Sequence, residues 1–216
     1  MNRQLTIFFI LLSAPTSSSL ANSWQVKKEV NPVSNIASYY AISPYSTPMS
    51  SLQFPYSDVK SWVNVGCDSE KKTWAYISHT KSNFTGGKWS NSSKVHYNVR
   101  FKFDDKNKLK FSLREKGNDL FVYTDKSAFI DNLKSANHMT TGIEWYKQGD
   151  VYFKYSMKGS SQAIDSIMTK CGIKREDQIS CNDIGNSYSQ LDIDMMFYQK
   201  KTMSLKKYQE LKACKI

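Results

Sequence analysis

The stretch that most constrains the fold is residues 151–172, where the pattern predicts a strand, a turn and a helix in succession. Its first eight residues alternate apolar and polar side chains, which is typical of a strand with one face on a core. Gly159 interrupts that alternation, and Gly172 closes the stretch directly after Cys171. We therefore expect a sheet with a helix packed on it and a cysteine at the end of the helix.

The expected helix in this stretch begins at Gln162. Ser160 or Ser161 is placed to cap its first backbone donors, and Asp165 would favour the positive end of the helix. A glycine just past the last apolar position is a common helix terminator, so Gly172 is expected to end it.

The clearest strand pattern in the chain spans residues 95–103 and continues after a turn over residues 109–114. Aromatic and aliphatic residues occupy the inward positions of both predicted strands. The outward positions carry four cations, namely Arg100, Lys102, Lys110 and Arg114. One face of the predicted sheet is therefore cationic, and it is the best candidate binding surface; a solvated outer face is the alternative.

The remaining patterns define the fold class. Residues 62–67 and 73–79 predict a hairpin, residues 143–157 a second one, and residues 124–136 a helix capped by Thr124 or Asp125. After residue 172 strand patterns fade, and residues 181–214 outline a helical hairpin. We predict an α+β fold, with a β-rich antiparallel sheet or sandwich, two packed helices and a C-terminal helical hairpin.

Three segments are expected in the 216-residue chain: a signal peptide at 1–21, a β-rich domain at 22–172 and a helical module at 173–216. Residues 31–56 hold four of the five prolines. We interpret them as an extended, turn-rich segment lying over the domain, with a mobile recognition loop as the alternative.

The N-terminus has the features of an export signal. Arg3 precedes a short apolar run at residues 5–14, and Ser19 and Ala21 place small residues before the expected cleavage site. The apolar run is about half the length needed to span a bilayer, and no later stretch is long and apolar enough. We expect a periplasmic or secreted protein without a transmembrane segment in its mature chain.

Four cysteines lie in the expected mature chain, and an even number in an exported protein indicates disulfides. We favour Cys67 with Cys171 and Cys181 with Cys214, because each pair would close one structural unit. Zinc is the competing interpretation, but no pair has the usual ligand spacing, so no metal site is predicted.

The formal net charge is +11, and loss of the signal peptide removes only Arg3, which leaves +10. A basic exported protein is attracted to anionic partners, so we expect an anionic envelope surface or another protein as the partner; a merely solubilising charge is the alternative. A nucleic-acid platform would need aromatic side chains on the cationic face, where the pattern points them inward, so no nucleic acid is expected.

No catalytic motif is present, and we predict a binding protein, not an enzyme, without a cofactor. The three histidines, His79, His96 and His138, are scattered along the chain. His79 and His96 could meet across strands, which leaves a small hydrolase as the least favoured alternative.

The order of elements between residues 24 and 171 resembles the periplasmic accessory proteins of type VI secretion known as the TagO or VasI type. The similar positions are Trp24, Val26, Asn31 and Pro32, then Val65 and Cys67, then Val95, Tyr97, Val99 and Arg100, and finally Phe153, Tyr155, Met157, Gly159, Ala163, Ile164 and Cys171. This resemblance implies a secretion-associated envelope accessory protein.

The C-terminal part, residues 181–211, resembles the small helical module of LprI-type lysozyme inhibitors. The matching positions are Gln190, Leu191, Asp192, Tyr198, Leu205, Tyr208 and Leu211. This resemblance implies the alternative function, an inhibitor or exclusion factor that binds a wall-degrading or invading protein. Because animal lysozymes are strongly basic, a basic chain would be repelled at long range, and the accessory role is preferred.

Overall fold

Alternating apolar and polar residues build one antiparallel sheet with two helices packed on it. The computed structural model describes residues 23–89, 95–106, 108–174, 179–184, 189–196 and 205–214 of the chain. The predicted signal peptide, residues 1–21, lies outside the described residues. Among the described residues, no helix combines the length and apolarity needed to cross a bilayer.

Ten strands lie between Gln25 and Ser156 in the described part of the chain. In chain order they are β1 (Gln25–Val30), β2 (Ala37–Ile42), β3 (Ser61–Asp68), β4 (Thr73–His79), β5 (Lys88–Trp89), β6 (Val95–Phe103), β7 (Leu109–Lys116), β8 (Asp119–Val122), β9 (His138–Trp145) and β10 (Gly149–Ser156). Their order across the sheet is β1-β2-β3-β4-β8-β7-β6-β9-β10, with β5 paired to β6, and the pairings are antiparallel. The predicted α+β class is confirmed, as a single sheet in the described part of the chain.

Two predicted strand boundaries are wrong. β2 lies within residues 31–56, for which the sequence predicted an extended, turn-rich segment but no strand of the sheet. β9 begins at His138, whereas the sequence pattern predicted a strand only from Ile143. Both errors concern interior strands that pair on both sides. β2 lies between β1 and β3, and β9 lies between β6 and β10.

Two helices cover the inner face of the sheet, α1 (Lys126–Ser135) and α2 (Ser160–Lys170). The ring of Phe129 in α1 is fully buried, and its centroid lies 5.2 Å from those of Phe101 and Phe111. Edge-to-face contacts of this kind add to the free energy gained from burial. α1 is thus packed against β6 and β7. The predicted side-chain cap is wrong, because the N-cap residue is Asp125 and no side-chain capping hydrogen bond is present.

The predicted serine cap of α2 is also wrong. The helix begins at Ser160 and its N-cap is Gly159, at a φ of +82° that glycine adopts more easily than other residues. The Ser160 hydroxyl instead donates a hydrogen bond to the carbonyl oxygen of Leu133, at 2.6 Å, and so joins α2 to α1. Gly172, with a φ of +67°, follows the end of the helix as predicted.

Both predicted disulfide pairs are confirmed. Cys67 in β3 is bonded to Cys171 at the end of α2, across 104 residues of sequence. Cys181 is bonded to Cys214 across 33 residues. Structural disulfides of this kind are typical of proteins that fold outside the reducing cytoplasm.

The proline-rich segment joins β3 to the edge strand β10, which confirms that it lies over the domain. Ser46 exchanges backbone hydrogen bonds with Ser61 of β3, and its hydroxyl donates to the carbonyl oxygen of Lys154 in β10 at 2.9 Å. The amide of Met49 donates to the carbonyl oxygen of Tyr152 at 2.8 Å. The outer edge of β10 is therefore covered by this segment.

The C-terminal part has a small hydrophobic cluster separate from the main core. Its helices are α3 (Gln190–Asp194) and α4 (Leu205–Lys212), preceded by a 3-10 turn at Cys181–Asp183. The buried residues of the cluster are Ile179, Ile184, Ile193, Tyr208 and Leu211. The expected boundary near residue 173 stays a prediction.

Candidate functional site

The predicted cations lie together on the outer face of the sheet, opposite the helices. Arg100 of β6 and Lys110 of β7 are directly opposite each other, and Lys102 lies two residues further along the same face of β6. The inward residues Val99, Phe101, Phe103 and Phe111 are buried, whereas all three cationic residues are exposed. The strand alternation that predicted this face is therefore correct.

Arg100, Lys102 and Lys110 line one groove of about 490 Å³ that crosses β6, β7, β9 and β10. Lys108 adds a fourth cation to the same wall. The opposite side of the groove is lined by the carboxylates of Glu144 and Asp150, the ring of Tyr152, and Thr85 and Gly86 of the loop before β5.

The centre of the groove owes its shape to Gly142 in β9. A Cβ atom added there would lie 2.4 Å from two carbons of the Tyr152 ring, so that ring occupies the space a side chain would need. Tyr152 is opposite Gly142 in β10 and remains 46% exposed. Its hydroxyl donates to a carboxylate oxygen of Asp150 at 3.2 Å, and this nearby negative charge raises the pKa of the hydroxyl.

The cations on the groove wall are only slightly neutralised by protein groups. Lys102 pairs with Asp105 at 3.1 Å, but the carboxylate is fully exposed, and such surface pairs are weak. Within the part of the chain that the structure describes, no ion pair involves Arg100, Lys108 or Lys110. Like charges directly opposite on neighbouring strands are destabilising, so the Arg100 and Lys110 pair has an energetic cost that folding does not require.

Thr85 contributes a polar group beside the carboxylate side of the groove. Its amide donates to the carbonyl oxygen of Glu144 at 2.9 Å and ties the loop to β9. Its hydroxyl oxygen is buried and has no hydrogen-bond partner among the described residues. Buried polar groups are nearly always paired, so this unpaired hydroxyl is an exception within the described part of the chain.

Arg114, the fourth predicted cation, shares the face but not the groove. Its guanidinium lies 5.5 Å from the centre of the Tyr123 ring, and the ring of His96 contacts the same tyrosine at 5.0 Å. A cation over an aromatic face is a favourable contact in itself. Arg114 therefore has a local partner. The structure places the other three predicted cations, Arg100, Lys102 and Lys110, in one groove.

Aromatic rings are present on the outer face, on β4 and β8, outside the groove. The Trp74 ring fills the space above Gly66, and the Tyr76 ring is stacked on Phe121 with centroids 4.6 Å apart. The aromatic residues of β6 and β7 do point inward, as the sequence predicted. Rings on the outer face are supplied instead by β8, which pairs with β7, and by β4 beyond it.

His79 is part of the core and not of a catalytic cleft. Its ring lies 5.1 to 5.7 Å from those of Phe84, Trp145 and Phe153, and its Nδ1 is 3.2 Å from the carbonyl oxygen of Asn118. Burial lowers the pKa of its imidazole to about 4.

The expectation that His79 and His96 could meet is wrong, because β8 and β7 lie between their strands. His96 is opposite Arg114 on the outer face, whereas His79 is buried on the inner side. Among the described residues, no group of three or more histidine, cysteine, aspartate or glutamate side chains could hold a metal ion.

Comparison with protein-family models, curated proteins and solved structures finds no match to this chain. The resemblances to TagO or VasI proteins and to LprI-type inhibitors therefore stay predictions. The groove must be interpreted from its own residues.

Proposed function

We propose that this protein is an exported binding protein of the bacterial envelope that uses the outer-face groove to hold an anionic partner. The observation that carries the proposal is the cross-strand pair of Arg100 and Lys110, two cations held opposite each other without a carboxylate between them. A local arrangement that costs stability is expected where function requires it. Lys102 and Lys108 extend the same positive wall.

A binding role is favoured over catalysis by the kind of groups in the groove. Arginine and lysine stay charged near neutral pH, and they recognise phosphate, sulfate or carboxylate groups by charge and hydrogen bonding. They suit recognition of a stable anion better than proton transfer, for which a group with a pKa near the working pH is best.

The envelope location in this proposal rests on the N-terminal export pattern and on the two disulfides. The secretion-associated role rests on the TagO or VasI resemblance of residues 24–171. An inhibitor of a wall-degrading protein is the second candidate, favoured by the disulfide that closes the LprI-like C-terminal part.

The test compares two double charge reversals that change the net charge equally. Arg100→Glu with Lys102→Glu alters the groove, and Lys28→Glu with Lys158→Glu alters two exposed lysines elsewhere. Binding to anionic phospholipid vesicles and to an immobilised acidic polysaccharide is measured over a range of salt concentrations. Because each cation near an anionic surface contributes about 1 kcal/mol, we expect the groove variant to lose at least about tenfold in affinity.

The control variant should bind nearly as well as the wild type to at least one of the two polyanions. Equal losses in both variants would show that net charge alone drives binding and would overturn the proposal. Binding to lysozyme that persists at high salt and is unaffected by the groove variant would select the inhibitor role instead.

A further inference from the structure

The groove has three parallel rows of side chains on the outer face, each crossing several strands. The central row holds Lys110 of β7, Arg100 of β6, and the Gly142 and Tyr152 pair of β9 and β10. The pairing of Phe101 with Thr141 continues by one residue to bring Arg100 level with Gly142. Cations and an aromatic ring thus share one row.

The two flanking rows have opposite character. On one side, Lys102 is paired with Thr140 of β9, which in turn is paired with Lys154 of β10, so this row is cationic. On the other side, Glu144 is paired with Asp150, so the second row ends in two carboxylates. A ligand that crosses the groove would meet positive charge along one side and hydrogen-bond acceptors along the other.

The dimensions of the central row limit the ligand. Neighbouring strands are about 4.8 Å apart, so the backbones that carry Arg100 and Tyr152 are separated by about 10 Å. A ring stacked on Tyr152 therefore brings a charged substituent within reach of the long Arg100 and Lys110 side chains. The ligand needs a stackable ring and an anionic group only a few bonds apart.

The carboxylate row selects among ligands of that kind. Glu144 and Asp150 accept hydrogen bonds from hydroxyl groups, and charge-assisted hydrogen bonds are the stronger class. A DNA strand has no free hydroxyl groups along its backbone to donate to these carboxylates, whereas an acidic sugar chain has free hydroxyls on each ring.

We propose that the groove binds an acidic oligosaccharide, with one sugar ring stacked on Tyr152 and its anionic group held by Arg100 and Lys110. Glu144 and Asp150 accept hydrogen bonds from the sugar hydroxyls. This inference rests on the proposed function, because it names the ligand class of the same groove.

The test uses four probes on the full mature chain: an oligomer of hexuronic acid, the same oligomer with its carboxyl groups reduced to alcohols, a thymidine oligonucleotide of equal charge, and anionic phospholipid vesicles. Affinities are measured by isothermal titration calorimetry. We expect the hexuronic acid oligomer to bind at least tenfold more tightly than the oligonucleotide. The carboxyl-reduced oligomer should bind at least tenfold more weakly than the acidic one.

Three variants identify the roles of the side chains. Tyr152→Ala should weaken binding of the acidic oligomer by about tenfold, the upper range for one aromatic contact, whereas Tyr152→Phe keeps the ring and should bind within about twofold of the wild type. Glu144→Gln with Asp150→Asn should also weaken binding. Thermal denaturation of each variant checks that the fold is retained.

Three results would overturn the inference: equal binding of oligonucleotide and acidic oligomer, no effect of Tyr152→Ala, or tighter binding after Glu144→Gln with Asp150→Asn. If Arg100→Glu with Lys102→Glu still abolishes binding to vesicles or to the oligonucleotide, the proposed function survives without the sugar. If that variant binds every polyanion as well as the wild type, the proposed function fails as well.

Discussion

The two faces of β6 and β7 are formed by alternate residues of the same segments, yet their chemistry is opposite. On the inner face the rings of Phe101 and Phe111 are buried against Phe129 of α1. On the outer face Arg100 and Lys110 are exposed and directly opposite each other. Under the proposed function, stability and recognition are placed on different sides of one sheet, so substitutions should separate them.

The largest expected effect concerns the covalent link between sheet and helix on the inner side. Replacing Cys67 and Cys171 by serine opens a loop of 104 residues and should lower the free energy of unfolding by about 4 to 5 kcal/mol. Replacing Cys181 and Cys214 opens a loop of 33 residues and should cost about 3 to 4 kcal/mol. Urea unfolding of both double variants under identical conditions measures the difference.

If the loss of the Cys181 and Cys214 link lowers stability more than the loss of the other, chain entropy does not dominate. The role assigned to the inner-side disulfide would then be wrong.

The next effect tests the inner face directly. Phe129→Ala removes a fully buried ring that contacts Phe101, Phe103 and Phe111, and should lower the free energy of unfolding by about 3 to 5 kcal/mol. Binding of the folded variant to a polyanion should be unchanged. A loss of binding without a loss of stability would contradict the separation of the two faces.

His79 predicts how the inner side responds to pH. Its folded pKa of about 4 lies below the unfolded value of 6.5, so the unfolded chain takes up a proton first as pH falls. Stability is therefore complete above about pH 6.5 and decreases as pH falls toward 4, by about 3 kcal/mol for this group. His79→Gln should have a lower stability at pH 7 but a smaller further decrease between pH 7 and pH 4.

Protonation of carboxylates whose pKa is lowered in the folded protein, such as Asp104, also lowers the free energy of unfolding in acid. This contribution is the same in the wild type and in His79→Gln. Urea unfolding of the wild type and of His79→Gln at several pH values isolates the histidine. Parallel curves for the two proteins would show that His79 is not protonated on unfolding in this range.

The smallest stability effect belongs to the outer face and has the opposite sign. Lys110→Glu replaces a like-charge cross-strand pair with an opposite-charge pair to Arg100, and should raise the free energy of unfolding by about 0.2 to 1 kcal/mol. Polyanion affinity should fall in the same variant. Lys28→Glu is the control, and it should leave binding nearly unchanged. A Lys110→Glu variant that is less stable than the wild type and binds the polyanion normally would contradict the assignment of stability to the inner face and binding to the outer face.

The features that could be predicted from the sequence depend on alternation within a strand or on a disulfide that closes one structural unit. The cationic face on β6 and β7 follows from period-two patterning, and the disulfide pairs follow from assigning one link to each unit. The far wall of the groove depends on which strands become neighbours, and a pattern within one strand cannot show that β9 pairs with β6.

One local signal for that wall was present. Gly142 directly precedes the predicted strand and lies inside β9, and an isolated strand glycine often marks a close approach of another group. Here that group is the Tyr152 ring. The serine cap failed for a different reason, because the Ser160 hydroxyl finds a tertiary acceptor on Leu133 in place of its own helix.

The most direct test of the central claim is an amide NMR titration of the mature protein with short-chain polyphosphate, a generic polyanion. Shift changes should concentrate on β6, β7, β9 and β10, with the largest at Arg100, Lys110 and Gly142, and should disappear in Arg100→Glu with Lys102→Glu. Changes spread evenly over surface lysines such as Lys28 and Lys158, or confined to the C-terminal helices, would contradict the assignment of the groove as the binding site.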